Sequence, residues 1–467
     1  MSYIPLSLYT IALLGAALTL LSFRNMSSQT TVQFGSQPAI ISVKSSDESE
    51  ELESASIREL VEAKCPSLFK PFKPVWWLCN GHLQTVHCVT GDFSKIDPLQ
   101  YNRTYLRLVD GGTLGLDFAP AVADESKVKP DTPIIVVQHG LTGGSYEPYV
   151  RAIVKPACTP VEEGGLGYRV VVVNFRGCAG TPITSQQLYS AGHTDDLRQA
   201  LAYLEHRYPS APLLGLGYSL GANVLTRYIA EEGENSRLIS GCALACPWDL
   251  EENNHSLLNS FLGTQVYQKG MGGNLQRLVR KHQESLLIDP EHRVAKAVPG
   301  VLALKKPTLA EFDEAFTRIA GGSAPTFPFP DADAYYRWAS SHKVLKDVRV
   351  PFLAINATDD PVVHKVPMSA SDNPYVTMVL TGGGGHLGWF QSGDGITSRW
   401  FTEPVLEWMK LTEALVLPSK LRNPPSTYVD EEGFVCEQGR PHLGSKVIPG
   451  GGIVDGNGGE AGALQGL

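Results

Sequence analysis

Pro212–Ala230, PLLGLGYSLGANVLTRYIA, holds three pieces in a fixed order. PLLGLGY (Pro212–Tyr218) is a continuous apolar run of the length a buried strand has. ANVLTRYIA (Ala222–Ala230) has helical spacing. Between them stands Gly217-Tyr218-Ser219-Leu220-Gly221. A chain that passes from strand to helix in so few residues has no room for side chains on either flank, so glycine is needed at both. Ser219 is then held clear of the backbone at a helix N-terminus, where developing negative charge is favoured. The competing interpretation is a glycine-rich turn capped by a serine. The context of strand before and helix after favours an exposed nucleophile.

The flanking sequence repeats the pattern. Pro133–Gln138, Tyr168–Asn174, Leu238–Ala245, Pro351–Asn356 and Tyr375–Thr381 are near-continuous apolar runs, as expected of parallel strands covered on both faces. Asn102–Val109 and Thr113–Phe118, joined across Asp110-Gly111-Gly112, predict an antiparallel hairpin. Thr194–Arg207 has Leu197, Ala200, Leu201 and Leu204 on one helical face, with Thr194, Asp195 and Asp196 offering N-terminal caps. The fold expected is α/β: a mostly parallel, doubly wound sheet with an antiparallel N-terminal hairpin. About a hundred residues of helical character separate the strand near Cys246 from that near Val350. An apolar insertion of this length predicts a lid over the strand ends, against the alternative of an ordinary helical layer.

A serine hydroxyl needs a base, and a base needs an orienting acid. After an elbow of this kind the acid follows a later strand and the histidine the last one. Asp359-Asp360-Pro361 follows Pro351–Asn356, and His386, in TGGGGHLGW, follows Tyr375–Thr381. Asp360 is the preferred acid, with Asp359 as the alternative in a loop hydrogen-bonding role. Backbone N–H groups of Leu220 and of Leu141, in Gln138–Gly144, are the expected oxyanion donors, and His139 is expected to shape that loop. His193, His206, His282 and His292 are expected at the surface. The chemistry these residues suit is attack of Ser219 on an acyl carbonyl, with activity falling on acidification through the ordinary histidine value of about 6.5.

Composition excludes other classes. Lys+Arg 39 against Asp+Glu 48 gives a net charge of −9, which offers no reason to bind nucleic acid. The eight cysteines form no CxxC pair, so neither a zinc ribbon nor a disulfide scaffold is expected, and Cys242 and Cys246 read as small buried hydrophobes. No cofactor, metal or obligate protein partner is expected. Asn25, Asn102, Asn254 and Asn356 stand in glycosylation sequons that read as incidental. The segment before Arg24 carries no charge and is rich in Leu, Ile and Ala. It predicts a membrane anchor over 1–24, with a cleaved signal peptide or a surface helix as alternatives. The anchor would place the protein on an intracellular membrane such as the endoplasmic reticulum or a lipid droplet. The remaining expectations are a flexible tether over 25–64, a core over 65–247 and 350–425, the lid over 248–349, and a flexible glycine-rich tail over 426–467.

Four motifs occur together: GYSLGAN at the elbow, HGLTGGS from His139, NFRGCAGTP (Asn174–Pro182) and NGHLQT (Asn80–Thr85). Over roughly Cys65–Val416 the chain resembles α/β-hydrolase family four. That family contains membrane-anchored mammalian abhydrolase-domain lipases and fungal medium-chain fatty acid ethyl ester synthase/esterases. The resemblance implies an α/β-hydrolase fold with Ser219, Asp360 and His386 as its triad. It also implies acyl-ester chemistry: hydrolysis of lipophilic acyl esters, or acyl transfer from an acyl-CoA-type thioester to an alcohol. The apolar lid and the predicted anchor favour a lipophilic acyl donor. A non-catalytic binding protein on the same scaffold is the rival interpretation, since fold alone does not guarantee chemistry. NGHLQT has no role that residue types alone assign.

Overall fold

The computed structural model describes residues 29–44, 52–121, 128–392, 397–416, 424–457 and 466. Twelve described strands form one sheet: β1 (Thr30–Phe34), β2 (Gln100–Leu108), β3 (Thr113–Ala119), β4 (Ile134–Gln138), β5 (Arg169–Asn174), β6 (Leu213–Tyr218), β7 (Leu238–Leu244), β8 (Phe352–Ala357), β9 (Val376–Thr381), β10 (Thr427–Val429), β11 (Val435–Glu437) and β12 (Arg440–Asp455). Their order is β1-β9-β8-β7-β6-β4-β5-β3-β2-β12-β11-β10. β9-β8-β7-β6-β4-β5 is parallel throughout, and the pairs at either end are antiparallel.

The parallel strands are buried at nearly every position. Alternate side chains enter different cores: Ile134, Val136, Val171 and Val173 one, Ile135, Val137, Val170 and Val172 the other. That two-sided burial is why these strands read as unbroken apolar runs. Ten helices of eight or more described residues surround the sheet. In chain order they are α1 (Ile57–Lys64), α2 (Gly81–Thr90), α3 (Pro148–Cys158), α4 (Asp195–Arg207), α5 (Leu220–Glu232), α6 (Leu250–Leu258), α7 (Lys269–Lys281), α8 (Arg293–Ala303), α9 (Ala332–Ala339) and α10 (Thr402–Glu413). The stretch predicted as a lid contains α6–α9. It shares its apolar core with the sheet face beneath α4 and α5 through Leu257, Met271, Leu275, Phe312 and Phe316.

Both predicted flexible ends are corrected within the described residues. The stretch 426–467 contains β10, β11 and β12, and β12 pairs along the whole of β2. Its glycines serve a bulge between Ile448 and Gly452. Gly450 and Gly452 have φ of +110° and +142°, and a Cβ on Gly451 would lie 2.0 Å from the Arg103 carbonyl oxygen. Glycine was thus a requirement of close backbone approach. The predicted tether over 25–64 contains the edge strand β1, an antiparallel pair Ile40–Lys44 with Leu52–Ser56, and α1. Ser56 and Glu59 form a reciprocal capping box at the start of α1, a signal present in the sequence as Ser-x-x-Glu.

α4 begins where expected, but Thr194 does not cap it. Its hydroxyl donates to Glu231, while Asp195 and Asp196 bond Arg198 and Arg176. All eight cysteines are free and buried. Asn356 is fully buried in β8, its amide oxygen accepting from the Trp248 indole at 2.9 Å, so the folded chain offers no glycosylation site there. No helix of the described residues is long and apolar enough to cross a membrane. The predicted anchor over residues 1–24 lies outside the described residues.

Candidate active site

β6 delivers the chain straight into α5, and Ser219 occupies the corner with φ +49° and ψ −120°. Residues bearing a side chain seldom hold that conformation. The flanking glycines make the corner possible. A Cβ on Gly217 would lie 2.6 Å from Ala222 Cα, and one on Gly221 would lie 2.4 Å from the carbonyl oxygens of Gln138 and His139. α5 therefore presses its first turn against the loop after β4.

The loops after β8 and β9 bring the other two residues to this corner. His386 Nε2 is 2.8 Å from Ser219 Oγ, and its Nδ1 is 2.8 Å from Asp360 Oδ2. The other Asp360 oxygen accepts the Val362 and Val363 amides at 2.8 and 3.0 Å. A carboxylate facing Nδ1 places the ring proton there and leaves Nε2 able to accept the serine proton. All three side chains are buried.

Asp359 faces elsewhere. Its Oδ1 accepts the Gly385 N–H at 2.9 Å. Burial, aided by the neighbouring Asp360 charge and opposed by that amide, pushes its carboxyl up to about 6. Leu141 and Leu220 both line the cavity beside Ser219. Among the described residues neither amide has a hydrogen-bond acceptor.

The loop carrying Leu141 is shaped by its surroundings. His139 Nε2 accepts the Phe175 amide and its Nδ1 bonds the Gly140 carbonyl. Tyr149 and Tyr189 hydroxyls accept the amides of Gly140 and Thr142. Asp117, paired with Arg103 at 2.5 Å, accepts from Ser145 Oγ and Asn174 Nδ2, so β3, this loop and the NFRGCAGTP motif form one buried network. Within the same motif Arg176 grips Asp196 with two nitrogens. Of the four histidines expected at the surface, His206 is exposed, whereas His193 is largely buried between Asp195 and Ser323.

A cavity of about 80 Å³ adjoins Ser219. Leu250, Asn253 and Leu257 of α6 form one wall, and Met271, Leu309, Tyr336 and Val362 contribute others. Asn253 Oδ1 accepts the His364 amide, while its Nδ2 has no acceptor among the described residues. The NGHLQT motif, which residue types left without a role, forms the start of α2 against the loops of Asp360 and His386. No local sequence signal shows this contact, because the partners stand 301 positions apart.

Residues 133–392 match the family model described as alpha/beta hydrolase fold. The chain is similar to a monoacylglycerol lipase of Saccharomyces cerevisiae, 32% identical over 79% of this chain and 88% of that protein. It is also similar to medium-chain fatty acid ethyl ester synthase/esterase 2 of the same organism, at 30% identity over 74% and 87%. A third relative, phospholipase ABHD3 of Homo sapiens, is 29% identical over 77% and 83%.

Proposed function

The chain belongs to the abhydrolase-domain family of α/β hydrolases, and from that premise we propose that it hydrolyses carboxylic esters with Ser219 as nucleophile, His386 as base and Asp360 as orienting acid. The lipases and esterases among its relatives support ester hydrolysis. The observation that carries the residue assignment is the unbroken chain of 2.8 Å contacts from Ser219 through His386 to Asp360.

His386 takes the Ser219 proton as Oγ attacks the acyl carbonyl, and Asp360 stabilises the imidazolium. The Leu141 and Leu220 amides, without acceptors among the described residues, receive the oxyanion. Collapse expels the alcohol or thiol, which takes the proton from His386 and leaves an acyl-enzyme. Water then attacks with His386 again as base, and collapse breaks the bond to Ser219, whose Oγ takes the proton back from His386 as the carboxylic acid leaves. An alcohol taking that place gives an ester instead, the transferase arm of the same chemistry.

The apolar wall beside Ser219 favours a lipophilic acyl donor of medium or long chain. Leu250 and Leu257 of α6 wall the cavity at Ser219, and on this reading the stretch 248–349 acts as a lid over the entering acyl chain. The uncharged, apolar Met1–Phe23 segment supports attachment to an intracellular membrane, which flotation of the full chain with vesicles would test.

A fluorophosphonate probe should label the wild type and not Ser219→Ala. A folded wild type that stays unlabelled and inactive on esters would leave only a binding role for the scaffold.

A further inference from the structure

Resting on the triad proposed above, we infer that Asn80–Thr85 is a positioning clamp, with Thr85 and Gln84 holding the loop after β9 so that the His386 ring stays between Asp360 and Ser219. Asn80 caps α2 by accepting the Leu83 amide, and this fixes the first turn of the helix. Thr85 Oγ1, which donates to the Gly81 carbonyl at 2.7 Å, accepts the backbone N–H of His386 itself at 2.8 Å. Gln84 holds the far end of the same loop from both sides. Its Oε1 accepts the Phe390 amide at 2.8 Å, and its Nε2 donates to the Phe390 and Leu78 carbonyls. Thr85 and Gln84 are both buried, and so is His386, so no water can replace these bonds.

The glycines confirm how closely the pieces are pressed together. A Cβ on Gly81 would lie 1.8 Å from the carbonyl oxygen of Asp359, the residue before the acid. A Cβ on Gly385, the residue before the base, would lie 2.3 Å from the Gly81 carbonyl oxygen and 2.8 Å from Thr85 Oγ1. One helical turn therefore sets the acid loop and the base loop against each other. Neither β8 nor β9 alone fixes the ring position, because His386 is five residues beyond the end of β9. A displacement of about 1 Å at a reacting group costs roughly 10²-fold in rate, and Thr85 is the nearest side chain bonded to the His386 backbone.

The test uses the full chain and a soluble short-chain ester. Thr85→Val keeps the shape of the side chain but cannot bond. It should lower kcat by about 10²-fold with KM within about twofold, the split expected when only the reacting geometry is lost. Thr85→Ser should recover the rate to within about threefold. The downfield proton resonance of the His386–Asp360 hydrogen bond should shift or vanish in Thr85→Val and return in Thr85→Ser. If Thr85→Val does not fold, Gln84→Leu carries the same measurement, with a kcat loss of about tenfold expected.

A folded Thr85→Val or Gln84→Leu with kcat within about twofold of wild type overturns the clamp. Ser219→Ala and His386→Ala measured beside them separate the two claims. If these two variants remain active, the triad itself is wrong. If they are inactive while Thr85→Val turns over normally, only the clamp is wrong.

Discussion

The strand ends of the sheet and the helical stretch above them meet at Ser219, yet they are held together differently. At the strand ends the backbone sets the geometry. Gly81, Gly217, Gly221 and Gly385 each sit where a methyl group would strike neighbouring backbone at under 3 Å. The amides of Gly385, His386 and Phe390 each have a side-chain acceptor. The helical stretch has close backbone approaches too, at Gly263 and Gly272, but its helices are less regular. It contains two π-helical turns, Gly263–Gln268 and Asp313–Thr317, each an irregularity often found at functional sites. Asn253 Nδ2, Asn274 Nδ2 and Arg293 Nε are buried there without a partner among the described residues, as are Tyr218 Oη and Asn223 Oδ1 beside Ser219. On the function proposed above, the strand ends would fix the reacting atoms and the helical stretch would accommodate the substrate.

The strand ends should therefore yield the largest effects. Ser219→Ala or His386→Ala should reduce kcat by about 10⁶-fold, and Asp360→Asn by about 10⁴-fold, measured on a short-chain ester. Asp359→Asn should stay within about tenfold, since it removes a loop contact and leaves the imidazole partner in place. An Asp359 variant as damaged as the Asp360 variant would reverse the two assignments.

Gly221→Val tests the backbone side of the comparison. Its Cβ falls 2.4 Å from two carbonyl oxygens that have no freedom to retreat. The substitution should cost about 3 kcal/mol or more of stability, seen as a lowered urea midpoint. A substitution tolerated there would mean that α5 and the loop after β4 are not pressed together, and the oxyanion donors would lose their placement.

Much of this first region was legible in the sequence. The six parallel strands were found within a residue or so of their ends because burial on both faces leaves no polar interruption. Ser219, Asp360 and His386 were legible from their order after successive strands, and the structure brings them together. β12 was not legible, because glycine in a bulge and glycine in a free tail read alike until the partner strand is known. β1 was missed for a related reason. As a five-residue edge strand it is only partly buried, and its alternation, confined to Val32 and Phe34, is too short to announce it. The clamp at Asn80–Thr85 depends on contacts across three hundred positions, which no local pattern encodes.

Asp313 tests the packing of the helical stretch. Its carboxylate is buried, accepting from Thr317 at 2.5 Å and Tyr336 at 2.7 Å. Burial outweighs those two donors and pushes the carboxyl up to about 6. An acid raised on folding costs stability as pH rises: the unfolded chain releases its proton from about pH 4, whereas the folded chain holds it until about 6. The deficit is absent below pH 4, accumulates between 4 and 6, and is complete above 6 at roughly 2–3 kcal/mol. Asp313→Asn cannot titrate, so its unfolding free energy relative to wild type should drift upward by that amount from pH 4 to pH 7. A difference that stays level across the range would show that the carboxyl is solvated and that this part of the helical stretch is open.

The smallest effect concerns substrate choice, and it belongs to the helical stretch alone. Leu250 and Leu257 lie seven residues apart on α6 and both face the cavity at Ser219. Leu257→Ala removes apolar bulk from that wall without touching the serine, the imidazole or either oxyanion amide. The kcat/KM ratio of a longer to a shorter acyl ester should rise by about tenfold, as a pocket enlarged by a few methylene groups discriminates by 1–3 kcal/mol. The short-chain kcat should change little, because the reacting geometry is set from below. A fall in short-chain kcat as large as the change in preference would mean that α6 also supports the reacting atoms. The division of tasks between the two regions would then fail at their shared boundary.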